Sequence, residues 1–214
     1  MKTSWPDPLS AEGVSAFKLR GHLARLTYER SGVVKKGGQL VLFGGGACAI
    51  LGYNTSVPHG KKFDLEGFAV ETPEQHAKGS GRLPRLTGGY EVTYFHPGPL
   101  PLVVLRGPTT DDLAQKFFGY RDYPSLLADA VQSNGFTTVP LLRMVESKAK
   151  RGAAIDLVGL VQADRAVRGT EDPIINERRW QKAVGGAAST LLKRQVSCPD
   201  WLTRAAHLCQ EAYK

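Results

Sequence analysis

Residues 39–70 read QLVLFGGGACAILGYNTSVPHGKKFDLEGFAV, and this stretch decides the fold. The run from Gln39 to Phe43 is short and almost wholly apolar, which is typical of a strand buried on both faces. Three glycines stop it, Ala47 to Leu51 has the composition of the first turns of a packed helix, and Phe63 to Val70 resumes strand character. The sequence therefore predicts a strand, a glycine turn, a helix and a second strand, in that order.

The regions on either side complete an N-terminal lobe. A helix is predicted from Ser10 to Arg30, because apolar residues recur there at steps of three and four, at Ala16, Leu19, Leu23 and Leu26. Further strands are predicted at Tyr90 to His96 and Leu100 to Arg106, after a loop from Pro73 to Gly89 that is rich in glycine, proline and charge. This half of the chain is expected to form a mixed sheet with a helix on at least one face.

The composition changes at Pro108, after which helix-start residues follow and no further strand pattern is convincing. Six helices are predicted, at Asp111 to Phe118, Pro124 to Ser133, Pro140 to Arg151, Ala153 to Ala163, Ile174 to Gln195 and Pro199 to Tyr213. The expected fold class is α+β, with a sheet-containing lobe at 1–108 and an all-helical lobe at 109–214.

The composition of the chain limits the classes of protein to which it can belong. The formal charge is +8 and the pI is near 9.5, which favours a polyanionic partner such as RNA, DNA or a nucleotide. The three cysteines and five histidines show no metal-ligand spacing. No window is apolar enough to span a membrane and the start has no signal-peptide core, so we expect a cytoplasmic protein without a membrane partner.

Two local features suggest chemistry. Asp64 and Glu66 lie two apart on a predicted strand, so both carboxylates point to one face, where such hard oxygen ligands suit Mg²⁺. Gly44 and Gly45 let the backbone approach a phosphate closely at a helix start. Each feature also has an ordinary explanation, an exposed strand face bearing two acids and a turn whose glycines are purely steric.

In order and spacing, this segment resembles the minimal nucleotidyltransferase superfamily, the DNA-polymerase-β-like fold. That signature is an apolar residue, Gly-Gly or Gly-Ser, a short helix and then Asp-x-Asp or Asp-x-Glu; the similarity is greatest to the branch of abortive-infection and toxin–antitoxin nucleotidyltransferases. The resemblance implies a nucleotidyltransferase-like N-terminal lobe. It also implies that Asp64 and Glu66 are catalytic ligands of Mg²⁺ and that Gly44 and Gly45 bind the nucleoside triphosphate.

A second match to this branch lies in the helical half. There the branch carries a lysine on one helix and, about eight residues later, an aspartate that opens the next helix. Lys148 and Asp156 have this spacing, so the resemblance implies that Lys148 binds triphosphate and that Asp156 is its structural or catalytic partner. The alternative is an ordinary basic helix end, favoured by the helix dipole, followed by an acidic first turn.

Three further site residues, Glu91, Lys61 and Lys62, are implied only by the resemblance. Glu91 is the acid available on the next strand for the superfamily's third carboxylate, although the family usually has an aspartate where this chain has Thr93. Either the register differs or the catalytic set is incomplete. Lys61 and Lys62 occupy the loop where the family often has arginine, and they either contact phosphate or are solvated loop charges.

The resemblance implies an enzyme that transfers a nucleoside monophosphate from a triphosphate to a hydroxyl of tRNA, another RNA or a protein. Its role would be that of a toxin or phage-defence component, with a cognate antitoxin as a further partner. A second hypothesis is a catalytically inactive module of the same fold that binds RNA or a partner protein through its basic helices. A third is an unrelated structural protein, in which the acids would lie far from the glycine turn.

Overall fold

A computed structural model describes residues 5–31, 40–53, 65–69, 85–87, 90–95, 102–106, 110–133 and 135–213 of the chain. Asp64, Lys61 and Lys62 therefore lie outside the described residues. The chain divides into two compact units. We call Arg20–Leu51 with Lys62–Pro140 the sheet unit, and Met1–Leu19 with Gly52–Lys61 and Leu141–Lys214 the helical unit.

Eight α-helices lie within the described ranges: α1 Ala11–Ser31, α2 Gly44–Ile50, α3 Thr110–Phe118, α4 Tyr123–Asp129, α5 Leu141–Arg151, α6 Ala154–Arg168, α7 Arg178–Lys193 and α8 Asp200–Ala212. A 3₁₀ helix, Pro173–Asn176, precedes α7. The strands in the same ranges are β1 Leu40–Phe43, β2 Leu65–Ala69, β3 Arg85–Thr87, β4 Tyr90–Phe95, β5 Leu102–Arg106, β6 Val131–Ser133 and β7 Phe136–Thr138.

The described strands of the sheet unit form one mixed sheet in the order β3-β4-β5-β2-β1-β7-β6. Strand β1 pairs with β2 antiparallel and with β7 parallel, and β2 pairs with β5 parallel. Strand β1 thus has a neighbour on each side, and its apolar run is buried, with Val41 and Leu42 fully inaccessible. The strand, glycine segment, helix and strand predicted around Gly44 are all present in the predicted order.

Helix α1 is present as predicted, but it buries a different face from the one expected. The buried positions include Phe17, Arg20, Ala24 and Thr27, which recur at helical spacing one residue away from the predicted stripe. Leu19, which belongs to the predicted stripe, is 55% exposed. The apolar pattern therefore identified the helix but not the side that packs.

The helical unit is organised around a buried carboxylate, Asp164 of α6. It accepts hydrogen bonds from Trp180 Nε1 at 2.9 Å, Tyr213 Oη at 2.6 Å, Arg168 Nε at 2.5 Å and Cys209 Sγ at 3.1 Å. Burial, together with the Asp164 charge, raises the pKa of both the Cys209 thiol and the Tyr213 hydroxyl. The unit also buries apolar residues of four helices, among them Met144, Leu157, Leu160, Val184 and Leu202.

The α+β class is confirmed, and the C-terminal part is helical from Leu141 onward. The boundary predicted at residue 108 is wrong for the sheet, because β6 and β7 follow it and β7 pairs with β1. The helix predicted to continue to Ser133 ends at Asp129, and β3 lies in a segment predicted to be a loop. An Asn134-Gly135 pair, a known hairpin signal, separates β6 from β7 in the sequence.

Candidate functional site

The glycine segment forms the first turn of α2. Phe43 is extended, with φ −146°, and Gly44 has φ 75°, which is the left-handed region that disfavours any residue with a Cβ. The chain turns sharply there from the buried strand into the helix. The first backbone N–H groups of a helix have no acceptor within the helix, so they are donors at the start of α2.

Arg20 lies against this turn and was not among the predicted site residues. A Cβ built on Gly45 would stand 2.3 Å from Arg20 Nη2, so the guanidinium occupies the space that a side chain at position 45 would need. Arg20 is only 6% exposed, although it is a cation on the buried face of α1. Its helical spacing from Phe17 and Ala24 is a signal in the sequence, but only the packing reveals which face is buried.

Strand pairing brings the acidic segment next to the glycine turn. Glu66 of β2 is the register partner of Phe43, the residue directly before Gly44. On its other side, Glu66 is the partner of Val103 in β5. Asp64 lies outside the described residues, so the pairing establishes only the position of Glu66. The hypothesis that the acidic strand and the glycine turn are distant in space does not hold for Glu66.

Glu91 is not brought together with Glu66. Val103 of β5 pairs with Glu66 of β2 on one side and with Tyr94 of β4 on the other, so these three residues form one row across the sheet. Glu91 of β4 pairs instead with Arg106. Residues of a strand alternate between the two faces of the sheet. Glu91 is an odd number of positions from Tyr94 and therefore belongs by register to the opposite face from Glu66. The register does not support Glu91 as the third carboxylate.

Lys148 and Asp156 are brought together, as their predicted partnership requires. Lys148 Nζ lies 3.2 Å from Asp156 Oδ1, and Arg151 donates to both oxygens of the same carboxylate, each at 2.6 Å. Asp156 is 1% exposed and Lys148 is 8% exposed, so this is not a solvated helix end. Burial alone would raise the pKa of Asp156, but the hydrogen bond from Arg151 and the charge of Lys148 outweigh it and hold the pKa below its ordinary value.

This Asp156 cluster, defined by Lys148, Arg151 and Asp156, carries two positive charges and one negative charge. Its formal net charge is therefore positive even when every ion pair is made. The carboxylate orients both cations, since a bidentate arginine contact fixes the guanidinium plane. Chemically, the cluster can present an oriented arginine toward an anion, and the adjacent lysine adds to its positive charge.

Next to this cluster lies a groove of about 840 Å³ between α5, the start of α6, and α7. Six cations line it: Lys150, Arg151, Arg178, Arg179, Lys182 and Arg194. Glu146 is the one acidic residue among the described residues of its lining. We call this surface the cationic groove.

Other basic residues of the same region are engaged elsewhere. Arg165 donates to both oxygens of Asp7, and Arg168 donates to Asp164. The basic residues of the helical unit thus form two groups, one that makes ion pairs within the unit and one that lines the groove.

Among the described residues, no group of three histidine, cysteine, aspartate or glutamate side chains is placed to hold a metal ion. Asp64, one of the two acids expected to bind Mg²⁺, lies outside the described part of the chain. No helix in the described part is long and apolar enough to cross a membrane.

The chain is similar to a solved structure, whereas no family model or curated protein matches it. A solved structure described as "putative nucleotidyltransferase from H. pylori" is similar over 96% of this chain and 97% of that chain, with a TM-score of 0.46 and 14% identity. Likeness of this degree carries no information on activity.

Proposed function

We propose that the chain is a Mg²⁺-dependent nucleotidyltransferase that moves a nucleoside monophosphate from a nucleoside triphosphate to a hydroxyl group. The observation that carries the proposal is the pairing of Glu66 with Phe43, directly before the glycine turn. Two motifs that are separated in the sequence are neighbours in the sheet.

The glycine turn is proposed to bind the triphosphate. Phosphate binding needs backbone donors that a ligand can approach and a nearby positive charge. Gly44 and Gly45 keep the backbone bare, and Arg20 supplies a guanidinium beside Gly45. Lys61 and Lys62 are proposed as further phosphate contacts, on the strength of the family resemblance.

Asp64 and Glu66 are proposed to hold Mg²⁺. The donor chemistry fits, since carboxylate oxygens are the ligands that Mg²⁺ prefers and the two acids are two positions apart in the sequence. When bound, the ion neutralises phosphate charge and lowers the pKa of an attacking hydroxyl. The chain itself contributes the rigid attachment of Glu66 to a central, doubly paired strand.

Lys148 is proposed to supply positive charge for the triphosphate, with Asp156 as its positioning residue. The ion pair supports this role, because it fixes the ammonium in one place and the second cation, Arg151, keeps the cluster positive. Glu91 has no supported role in this scheme, since its register position is on the other face from Glu66.

The proposed acceptor is a hydroxyl of RNA, such as the end of a tRNA, or of a protein side chain. The net charge of +8 favours a polyanionic acceptor, and therefore RNA. A toxin or phage-defence role, with a cognate antitoxin as partner, follows from the resemblance and is proposed with it.

Transfer is tested by incubating the protein with Mg²⁺, each α-labelled nucleoside triphosphate in turn, and either total tRNA or a protein acceptor mixture. Labelled product is expected with at least one acceptor. Glu66→Gln and Asp64→Asn should each lower the rate by about 10²-fold or more, by analogy with the loss of a single charge-stabilising group. Glu211→Gln, a matched change at an exposed position of α8, should have no effect. Full activity of Glu66→Gln would refute the assignment.

The second candidate is an inactive module of the same fold, and one observation favours it. The positions in the row of Glu66 on the next two strands are Val103 and Tyr94, neither of which is acidic. A site with only two carboxylates would bind nucleotide or RNA without transfer. In the same assay, this candidate predicts no labelled product in any reaction, with RNA binding retained.

A further inference from the structure

We infer that the cationic groove binds the phosphate backbone of a folded RNA. The groove is lined by residues of the helical unit, whereas the glycine turn belongs to the sheet unit, and the cationic character of the groove does not depend on the proposed reaction. Only the choice of RNA over other polyanions rests on the proposed function, in which RNA supplies the acceptor hydroxyl.

The charges of the groove are uncompensated by its own acids. Arg179 is held by Glu146 through two hydrogen bonds, which neutralises that pair. Lys150, Arg178 and Lys182 are exposed and make no hydrogen bond or ion pair with the described residues. With six cations and one acid, Glu146, in its lining, the groove carries a net positive charge that attracts an anion.

Two further cations are held in fixed positions at the groove. Arg151 is oriented by Asp156, and Arg194 Nη1 donates to the backbone oxygen of Gly152 at 2.7 Å. The remaining N–H groups of the Arg194 guanidinium, which is held in this way, can donate to phosphate oxygens without a large loss of side-chain entropy. Oriented arginines together with the exposed cations are suited to a backbone with regularly spaced charges.

The extent of the charged surface argues for a polymer. Arg178 and Arg194 stand at the two ends of α7, which at 1.5 Å per residue places their backbones about 24 Å apart along the helix. Even in B-form DNA a strand advances only about 3.4 Å along the helix axis per phosphate, so a surface of this length spans several successive phosphates. A free nucleoside triphosphate has only three, and it would leave most of these cations unused.

The lining also indicates which part of an RNA is bound. Its remaining residues are small or aliphatic: Ala149, Gly152, Leu157, Ala183, Gly186, Ala187 and Thr190. No aromatic side chain is among the described residues that line the groove, so it offers no stacking surface for unpaired bases. Contact with the backbone of paired segments, as in a folded RNA, is the mode that such a surface supports.

The test measures equilibrium binding of fluorescently labelled total tRNA in EDTA and without nucleotide, so that a failure of catalysis cannot affect it. Arg178→Gln/Lys182→Gln is compared with wild type across a salt series. Loss of two phosphate contacts should lower the slope of log K against log salt by nearly two and weaken binding by about tenfold or more at 0.1 M salt. Lys18→Gln/Arg204→Gln is the control, because it removes the same charge at exposed positions outside the groove.

Each outcome decides the inference. Selective loss in the groove variant, with recovery in Arg178→Lys/Lys182→Arg, supports it, and circular dichroism checks that both variants are folded. Equal loss in the control would show that binding is a general charge effect and would overturn it. Equal or tighter binding of duplex DNA or polyglutamate would overturn the choice of RNA. Retained binding by Glu66→Gln, even where no transfer is detected, supports the inference independently of the proposed function.

Discussion

The glycine turn of the sheet unit and the Asp156 cluster of the helical unit position charge in opposite ways. At the turn, backbone geometry sets the arrangement: Gly44 has a positive φ, and a bare Gly45 makes room for Arg20. In the cluster, side chains hold one another, with one carboxylate between two cations. Stability should therefore be sensitive to atoms added at the turn and to charges removed from the cluster.

The largest effect on stability is expected from Asp156→Ala. It leaves Lys148 buried beside Arg151 with no counter-charge, which should lower the free energy of unfolding by about 3–5 kcal/mol. Urea denaturation measures the change. Lys148→Met/Asp156→Leu should recover most of it, because an apolar pair removes both desolvated charges. If the double variant is as unstable as the single variant, burial of unpaired charge is not the cause.

A smaller effect is expected from a backbone change at the turn. Gly44→Ala places a Cβ at φ 75° and should lower the free energy of unfolding by about 1–2 kcal/mol. Gly186→Ala is the matched control: it lies within α7 with no heavy atom within 4 Å of the added Cβ, and it should stabilise the protein by about 0.5–1 kcal/mol. Thermal denaturation of both variants measures the contrast. Equal effects would show that the turn is not conformationally constrained.

The pH dependence of stability sharpens the description of the cluster. The pKa of Asp156 is lower in the folded protein than its ordinary value of 3.8, so the folded state binds its proton less well than the unfolded state. Its contribution is therefore fully present above about pH 5 and is lost as the pH falls below 3.8 toward the folded pKa. Wild type should lose more stability than Lys148→Met/Asp156→Leu between pH 5 and pH 3 in thermal unfolding. Parallel curves would contradict this.

The smallest effect is expected at Glu91. Its register position is on the other face of the sheet from Glu66, so Glu91→Gln should change the transfer rate by less than about threefold. Glu66→Gln in the same assay provides the contrast. A loss at Glu91 as large as that at Glu66 would restore Glu91 as a catalytic acid and contradict the interpretation of the register.

Much of the fold could be predicted because its signals are local. The apolar run before the glycines and the helical periodicity after Leu141 depend on residues close together in the chain. The short strands β6 and β7 were missed, since three residues carry little periodicity and their place depends on pairing with β1. The sheet therefore continued past the boundary that composition suggested.

In the candidate site, too, some features could be predicted from the sequence and others could not. The partnership of Lys148 and Asp156 was implied by the family resemblance, and their side chains lie 3.2 Å apart in the structure. Arg20 could not be predicted, because its position depends on which face of α1 packs against α2. A periodic pattern alone does not distinguish between adjacent faces when each carries several apolar residues.

The sequence by itself was sufficient to predict the order of strand, glycine turn, helix and acidic strand, and the change to a largely helical C-terminal part. Local dihedral preference and hydrophobic periodicity are sufficient for this, since they act between near neighbours. Only the tertiary structure decided that Glu66 pairs with Phe43, that Glu91 belongs to the other face, and that Arg20 lies at the turn. Register and burial arise from contacts between distant segments, and one residue of register reverses the face of every side chain on a strand.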